Sequence, residues 1–344
     1  MILTKTPLRV SFLGGGTDFP TFFKSDTGYV LGTAINKYVY VNILALPKFA
    51  EERYRFTYRV TESVLEYSDF KHPVVREVLK DRNWNQPLNI ATMADLPGRS
   101  GLGSSSSFTV GFINALNRFD NLHTNPDDLA KESIRIEREI LGEPGGWQDQ
   151  YQASFGGLSL YKFDSDLVTP NAMVFEKDLI NYISESLVLV PMHDWRDSGG
   201  FAEVTKEIVS EGVGHQLALE LANLTLETSL KLNSNFSLKV KFEYLCSAVN
   251  SAWDIKVKLS QGTLNKQVLE KIDEGLTRGA RAGRLCGAGG SGFILFLIPP
   301  QNRALFVEKM SADLAFPVSV EERGSQILET TLSGRQRLHH GSGS

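Results

Sequence analysis

The chain has 344 residues, 42% apolar and 22% charged, with a formal net charge of −4, a composition of globular proteins with room for one large or two ordinary domains. The acidic balance and the lack of any run of basic residues argue against a nucleic-acid-binding surface. Cys246 and Cys286, far apart, exclude a disulfide framework and a cysteine metal site, and no apolar run has bilayer-spanning length; with Met1 leading directly into strand-like sequence, a cytoplasmic location is expected.

The N-terminal third reads as strand-rich. Ile2 to Phe12, Tyr38 to Leu46 and Tyr54 to Val60 carry β-branched and aromatic residues in partial alternation. The first strand contains a charge, Arg9, which is either an edge side chain reaching solvent or a buried cation with a carboxylate partner. It runs into Gly14-Gly15-Gly16 and delivers Thr17 and Asp18. Glycines there let a ligand approach the backbone, and a carboxylate can accept two bonds from neighbouring sugar hydroxyls. The alternative is a turn in which Asp18 caps the next segment. A helix over 72–81 and a strand over 88–94 follow.

Pro97-Gly98-Arg99-Ser100-Gly101-Leu102-Gly103 then leads into four serines, Ser104 to Ser107. Glycines without Cβ atoms can turn backbone N–H groups toward an anion, and the helix that follows has unpaired N–H groups and a positive dipole end there. Serine hydroxyls can bond phosphate oxygens or ligate Mg²⁺. A plain Gly/Ser loop is the alternative, but Phe108, Phe112, Leu116 and Phe119 recur at helical spacing and make one buried face. The loop is not a Walker A sequence, because no lysine occurs between Asn89 and Asn121.

Asn125, Pro126, Asp127 and Asp128 signal a helix start and Gly142 its end, with Leu129, Ile136 and Ile140 as the apolar stripe. Glu137 on this helix is either a solvated face residue or turned toward the phosphate loop. After Gly145-Gly146-Trp147-Gln148, Asp149 reads as a helix N-cap or as a carboxylate that orients an attacking hydroxyl. A hairpin strand at 156–161 and a buried strand at 186–192 precede a helical stretch from Phe201 to about Ser260. A further helix over 264–282 leads to a glycine cluster, Gly287 to Gly292, which is a tight turn or a ligand loop before the strand Phe293 to Ile298. The order of elements indicates an α+β fold with two lobes, 1–185 and 186–335, and a flexible tail over 336–344. A dinucleotide-binding oxidoreductase is disfavoured, since Gly14 to Gly16 lacks the Gly-x-Gly-x-x-Gly spacing.

Taken in this order, three segments resemble the galactokinase, homoserine kinase, mevalonate kinase and phosphomevalonate kinase (GHMP) superfamily. PLRVSFLGGGTD, PGRSGLGSSSS and LCGAGGSG are similar to its first, second and third motifs, and the resemblance spans roughly residues 4–298. The triple glycine with Thr-Asp, the segments at 72–77 and 136–142 and the Gly-x-Gln-Asp-Gln-Tyr stretch are most similar to the kinases of D-glycero-D-manno-heptose 7-phosphate. Trp147 stands where those kinases commonly carry lysine and related sugar kinases carry tryptophan.

The resemblance implies an N-terminal α/β domain with a left-handed crossover, a C-terminal ferredoxin-like domain, and a site between them. It implies ATP-dependent phosphorylation of a heptose phosphate at the anomeric hydroxyl, for surface-polysaccharide precursors in a bacterium. Arg99, Ser100, Gly101, Leu102, Gly103, Ser104, Ser105 and Ser106 would bind ATP, and Ser105 (or Ser104) with Glu137 would hold Mg²⁺. Asp149 would be the catalytic carboxylate and Arg9 its cation. Gly15, Gly16, Thr17, Asp18 and Gly287, Ala288, Gly289, Gly290 would line the substrate side. Lys24, Lys37, Arg99 and Arg196 are candidate cations for a substrate phosphate. The expected partners are ATP and a small sugar phosphate, with no nucleic acid or membrane; a homodimer is left open. A neutral-sugar kinase and an inactive metabolite-binding protein are the alternatives.

Overall fold

Two β-sheets carry the architecture. The computed structural model describes the chain except residues 48, 51, 99, 166, 193–200, 260–264, 288–291 and 331–344. The first sheet is built on two long antiparallel neighbours, β1 (Ile2–Leu13) and β2 (Gly28–Ala45), separated by the one-turn helix α1 (Pro20–Phe23). β3 (Tyr54–Thr57) and β4 (Thr61–Val64) form a hairpin, so the strand expected over 54–60 is cut short by a turn in which Tyr58 N donates to Val60 O. After α2 (Pro73–Asp81), β5 (Leu88–Ala94) pairs with the second half of β2 and, in parallel, with β3.

α3 (Ser104–Phe119) lies across β1 and β2 and buries Phe112, Ile113 and Leu116. Gly111 lets it sit flush on the sheet: a Cβ there would meet Thr6 Oγ1 at 2.7 Å, and Thr4 Oγ1 donates to Gly111 O at 3.0 Å.

α4 (Pro126–Ile134) starts where the sequence signals placed it, with the Asn125 side chain accepting from Asp128 N at 2.9 Å. The helix expected to run to 141 does not stay α-helical; from Arg135 to Ile140 it widens into a π-helix, which carries the buried Glu137. Such insertions re-aim the side chains that follow and recur at functional sites. Loss of the cap should be felt along this helix: Asn125→Ala is expected to lower unfolding free energy by about 1 kcal/mol, measurable by urea titration, and no change would mean that water replaces the cap.

α5 (Gln148–Phe155), β6 (Leu158–Asp164), β7 (Leu167–Thr169) and α6 (Lys177–Ser184) follow, with β6 pairing with residues 28–33 of β2.

The second sheet opens at β8 (Leu187–Pro191). Three helices, α7 (Phe201–Ile208), α8 (Gly212–Leu232) and α9 (Leu238–Leu259), then α10 (Lys266–Thr277), lead to the antiparallel pair β9 (Ala282–Leu285) and β10 (Phe293–Leu297). α11 (Arg303–Lys309) leads to β11 (Phe316–Pro317). The sheet order β11-β8-β10-β9, antiparallel throughout, is the fourth-first-third-second order of a ferredoxin-like unit. Leu187 and Leu189 pack into the core shared with the first sheet, while Val188 and Val190 face the cluster under α10 and α11. Burial on both faces explains why this strand reads as an unbroken apolar run. The chain then returns: β12 (Gln326–Thr330) pairs antiparallel with β1, so the lobe expected over 186–335 also gives a strand to the first sheet.

Candidate active site

β12 pairs with β1 only over Ile2–Lys5. At Arg9 one side of the strand pairs with β2 and the other is covered by the 101–103 loop, whose Leu102 O accepts from Arg9 N, so Arg9 does not reach solvent at an edge and is 7% exposed. Its guanidinium meets Asp149 with both prongs, Nε to Oδ1 at 2.7 Å and Nη2 to Oδ2 at 2.8 Å, and Nη1 donates to Gly101 O at 2.6 Å. Burial works against the Arg9 charge, but the adjacent Asp149 carboxylate outweighs it and the guanidinium is held above its ordinary range. Asp149 is not the N-cap of α5, which is Trp147; it sits in the first turn, facing Arg9.

The 101–103 loop is wrapped onto this ion pair. Arg9 N donates to Leu102 O at 3.0 Å. Gly103 caps α3 with φ +74°, and a Cβ there would lie 3.1 Å from Arg9 Cγ and 3.4 Å from Asp149 Oδ2. No side chain caps α3, so the first-turn amides remain without intrahelical partners at a helix end beside Asp149, an arrangement that suits an anion.

Glu137 is 1% exposed and is not a solvated face residue. Thr109 Oγ1 donates to its Oε1 at 2.6 Å; Ser106 Oγ donates to Oε2 at 2.8 Å, and Gln150 Nε2 donates there too. The serine set against Glu137 is therefore Ser106. Ser105, the expected metal partner, is exposed at the first turn of α3.

The Gly14–Gly16 turn holds Asp18, also fully buried. Its carboxylate accepts from Gly16 N at 3.0 Å and from Gln148 N and Nε2 at 3.1 and 3.0 Å. Burial pushes the Asp18 carboxyl above its usual range, against these hydrogen bonds. Asp18 is not a helix cap, since α1 is preceded by Phe19 with no side-chain cap. Gln148 reaches from Asp18 to Ser11, whose hydroxyl donates to Gln148 Oε1.

These groups line one cleft of about 390 Å³, a size typical of small-molecule sites. Of the sequence candidates, Arg9, Gly15, Gly16, Asp18, Gly101, Gly103, Ser104, Ser105, Ser106, Glu137, Asp149 and Gly287 lie on it. Three candidates face elsewhere. Thr17 is buried behind the turn, bonding Gly14 O and Tyr29 O; Ser100 is fully buried; and the Leu102 side chain belongs to the core. Arg99, Ala288, Gly289, Gly290 and Arg196 lie outside the described residues, and Lys24 and Lys37 do not line the cleft.

The far wall comes from the second sheet, with Lys256 on α9 and Arg284 on β9. Neither stood out in sequence, one being a lysine in an amphipathic helix and the other an arginine in a four-residue strand. The two glycine loops interlock: a Cβ on Gly101 would meet Cys286 O at 2.5 Å, and one on Gly287 would meet Gly101 Cα at 2.6 Å.

Residues 70–157 match the GHMP kinases N terminal domain, and the chain shares its fold with solved sugar and mevalonate kinases. The D-glycero-alpha-D-manno-heptose 7-phosphate kinase of Campylobacter jejuni is 27% identical over 92% of this chain and 94% of its own length. The galactokinase of Pyrococcus furiosus is 26% identical over 86% and 89%. Among solved structures, a D-glycero-D-manno-heptose 1-phosphate kinase from Bacteroides thetaiotaomicron superposes with TM-score 0.75 at 23% identity, covering 96% of this chain and all of that one. Lactococcus lactis galactokinase superposes at 0.73 with 14% identity, over 95% of each chain.

Proposed function

We propose that the chain is an ATP-dependent sugar kinase whose acceptor is D-glycero-D-manno-heptose 7-phosphate, phosphorylated at its anomeric hydroxyl. The observation that carries this is the contact between the phosphate loop at Gly103 and the Asp149–Arg9 pair. It sets a proton acceptor beside an anion site, which is what phosphoryl transfer to an alcohol needs.

In this reading the α3 amides and Ser104 to Ser106 hold the ATP phosphates. Asp18, fixed by Gln148, takes sugar hydroxyls. The acceptor oxygen attacks the γ-phosphorus, the bond from that phosphorus to the β–γ bridging oxygen breaks, ADP leaves, and the hydroxyl proton passes to the Asp149 carboxylate. Arg9 keeps that carboxylate aimed and its charge compensated. The donors near α3 also suit Mg²⁺: Glu137 and the hydroxyls of Ser105 and Ser106 are hard oxygen ligands on the cleft wall, and the ion takes few protein ligands besides phosphate and water. When bound it would neutralise phosphate charge.

Steady-state kinetics with ATP and a panel of heptose 7-phosphate, free heptose, galactose and fucose tests this reading. The heptose phosphate is expected to have the highest kcat/KM, with phosphorus NMR placing the new phosphate on C1. A higher value for galactose or fucose would replace the reading with a neutral-sugar kinase. No ATP consumption with any sugar would leave a binding protein.

A further inference from the structure

Four cationic side chains line the cleft among the described residues: Arg9, Arg138, Lys256 and Arg284. Arg9 is taken by Asp149, and Arg138 lies 3.6 Å from Glu137 while donating to Gly146 O and Glu143 O. Lys256 and Arg284 have no carboxylate partner among the described residues. Arg284 is 6% exposed; its Nη1 donates to Phe12 O at 2.6 Å, and its Nε is buried without an acceptor. Lys256 donates its Nζ to Gly287 O.

Burial and neighbouring cations work against both charges. Burial first, then the Arg284 charge, bring the Lys256 ammonium down to about 7, with Arg9 acting in the same direction and Cys286 against it. Burial and Arg9 draw Arg284 down to about 10, again opposed by Cys286. Unpaired charges in a cleft are costly unless something compensates them. An arginine fork beside a lysine point charge is the donor set that a phosphate dianion accepts.

We propose that Lys256 and Arg284 form the subsite for the phosphate group that the acceptor itself carries. This rests on the reading of the acceptor as a sugar phosphate. Position favours the acceptor over the nucleotide: Arg284 is anchored to Phe12, just ahead of the Gly14–Gly16 turn that holds Asp18. In the proposed reading the nucleotide phosphates are already served by the α3 amides and Ser104 to Ser106. The bound dianion replaces the missing carboxylates and favours the charged form of Lys256.

The test pairs kinetics with direct binding. Lys256→Met is expected to raise KM for heptose 7-phosphate by about 30-fold, the effect of losing one charge-assisted hydrogen bond. KM for ATP should change less than about twofold, and the loss on free heptose should be far smaller; Lys256→Arg should recover most of the binding. Arg284→Gln should behave like Lys256→Met, with its melting temperature checking the fold. Equal losses on both sugars, or a rise confined to KM for ATP, would overturn the assignment.

Independently of turnover, inorganic phosphate is titrated by calorimetry with ADP saturating the nucleotide side. Wild type is expected to bind it and Lys256→Met to bind it at least about tenfold more weakly; equal binding overturns the subsite. Phosphate binding lost in the variant while no sugar phosphate is turned over would leave the subsite standing and sink the acceptor reading. Turnover of heptose phosphate unaffected by both substitutions would do the reverse.

Discussion

Asp149→Asn is expected to lower kcat by at least about 10²-fold, the usual contribution of a positioned acid–base group, while the affinities for ATP and acceptor stay within about threefold. The expectation comes from what the substitution removes and what it keeps. Asparagine retains one oxygen for the Arg9 fork and the same length, so Gly103 and the loop against it keep their places. It cannot take a proton from the attacking hydroxyl. Loss in kcat with little change in binding is therefore the signature of a group acting in the transition state. Near-normal kcat would reject the role and leave Asp149 as the counter-ion that holds Arg9. A drop in ATP affinity alone would show that the pair only shapes the phosphate loop. Calorimetry with ATP and single-turnover rates on the same sample separate these outcomes.

Much of this site was readable in the sequence because its residues sit in short segments with strong local constraints. Gly101, Gly103, Gly287 and Gly292 adopt positive φ, and such positions announce themselves as glycine clusters. The signals at Asn125 and Pro126 set a helix start correctly, since capping is chemistry local to four residues.

What was hidden depends on long-range placement. Residues 28–35 of β2 did not read as strand, because all but the half-buried Tyr29 are buried, so both faces are covered, and because they are interrupted by Gly32, whose Cβ would lie 3.0 Å from Val10 O; burial on both sides erases alternation. Glu137 looked like any helix glutamate, since its hydroxyl and amide partners come from Ser106, Thr109 and Gln150, elsewhere in the chain. A π-helical turn, invisible to a 3.6-residue periodicity, also carries it. Lys256 and Arg284 were missed for the same reason. A cation without a carboxylate partner among the described residues is defined by what surrounds it, and the packing of one sheet on the other brings together Arg284 and Phe12, 272 positions apart in sequence.

Gly101→Ala should have the second large effect. Gly101 has φ +74°, and a Cβ would stand 2.5 Å from Cys286 O, a backbone atom of the opposing loop that cannot swing away as a side chain can. The left-handed conformation alone costs roughly 1–2 kcal/mol for a residue with a Cβ. The collision must add to that by pushing the loops apart, so a loss of about 2–4 kcal/mol in unfolding free energy is expected. Because Gly101 O accepts from Arg9 Nη1, the same shift should loosen the ion pair and raise KM for ATP by at least about tenfold.

Two alanine substitutions divide the contributions. Gly142 has φ +66° with nothing within 4 Å of its Cβ position, so Gly142→Ala should show the conformational cost alone. Gly98 has open space and no positive φ, and Gly98→Ala should stay within about 0.5 kcal/mol of wild type. Urea unfolding of the three variants, with nucleotide calorimetry on each, checks the series. If Gly101→Ala cost no more than Gly142→Ala and bound ATP normally, the loops would not be in contact, and the cleft would lack the closure that places Asp149 beside the phosphates.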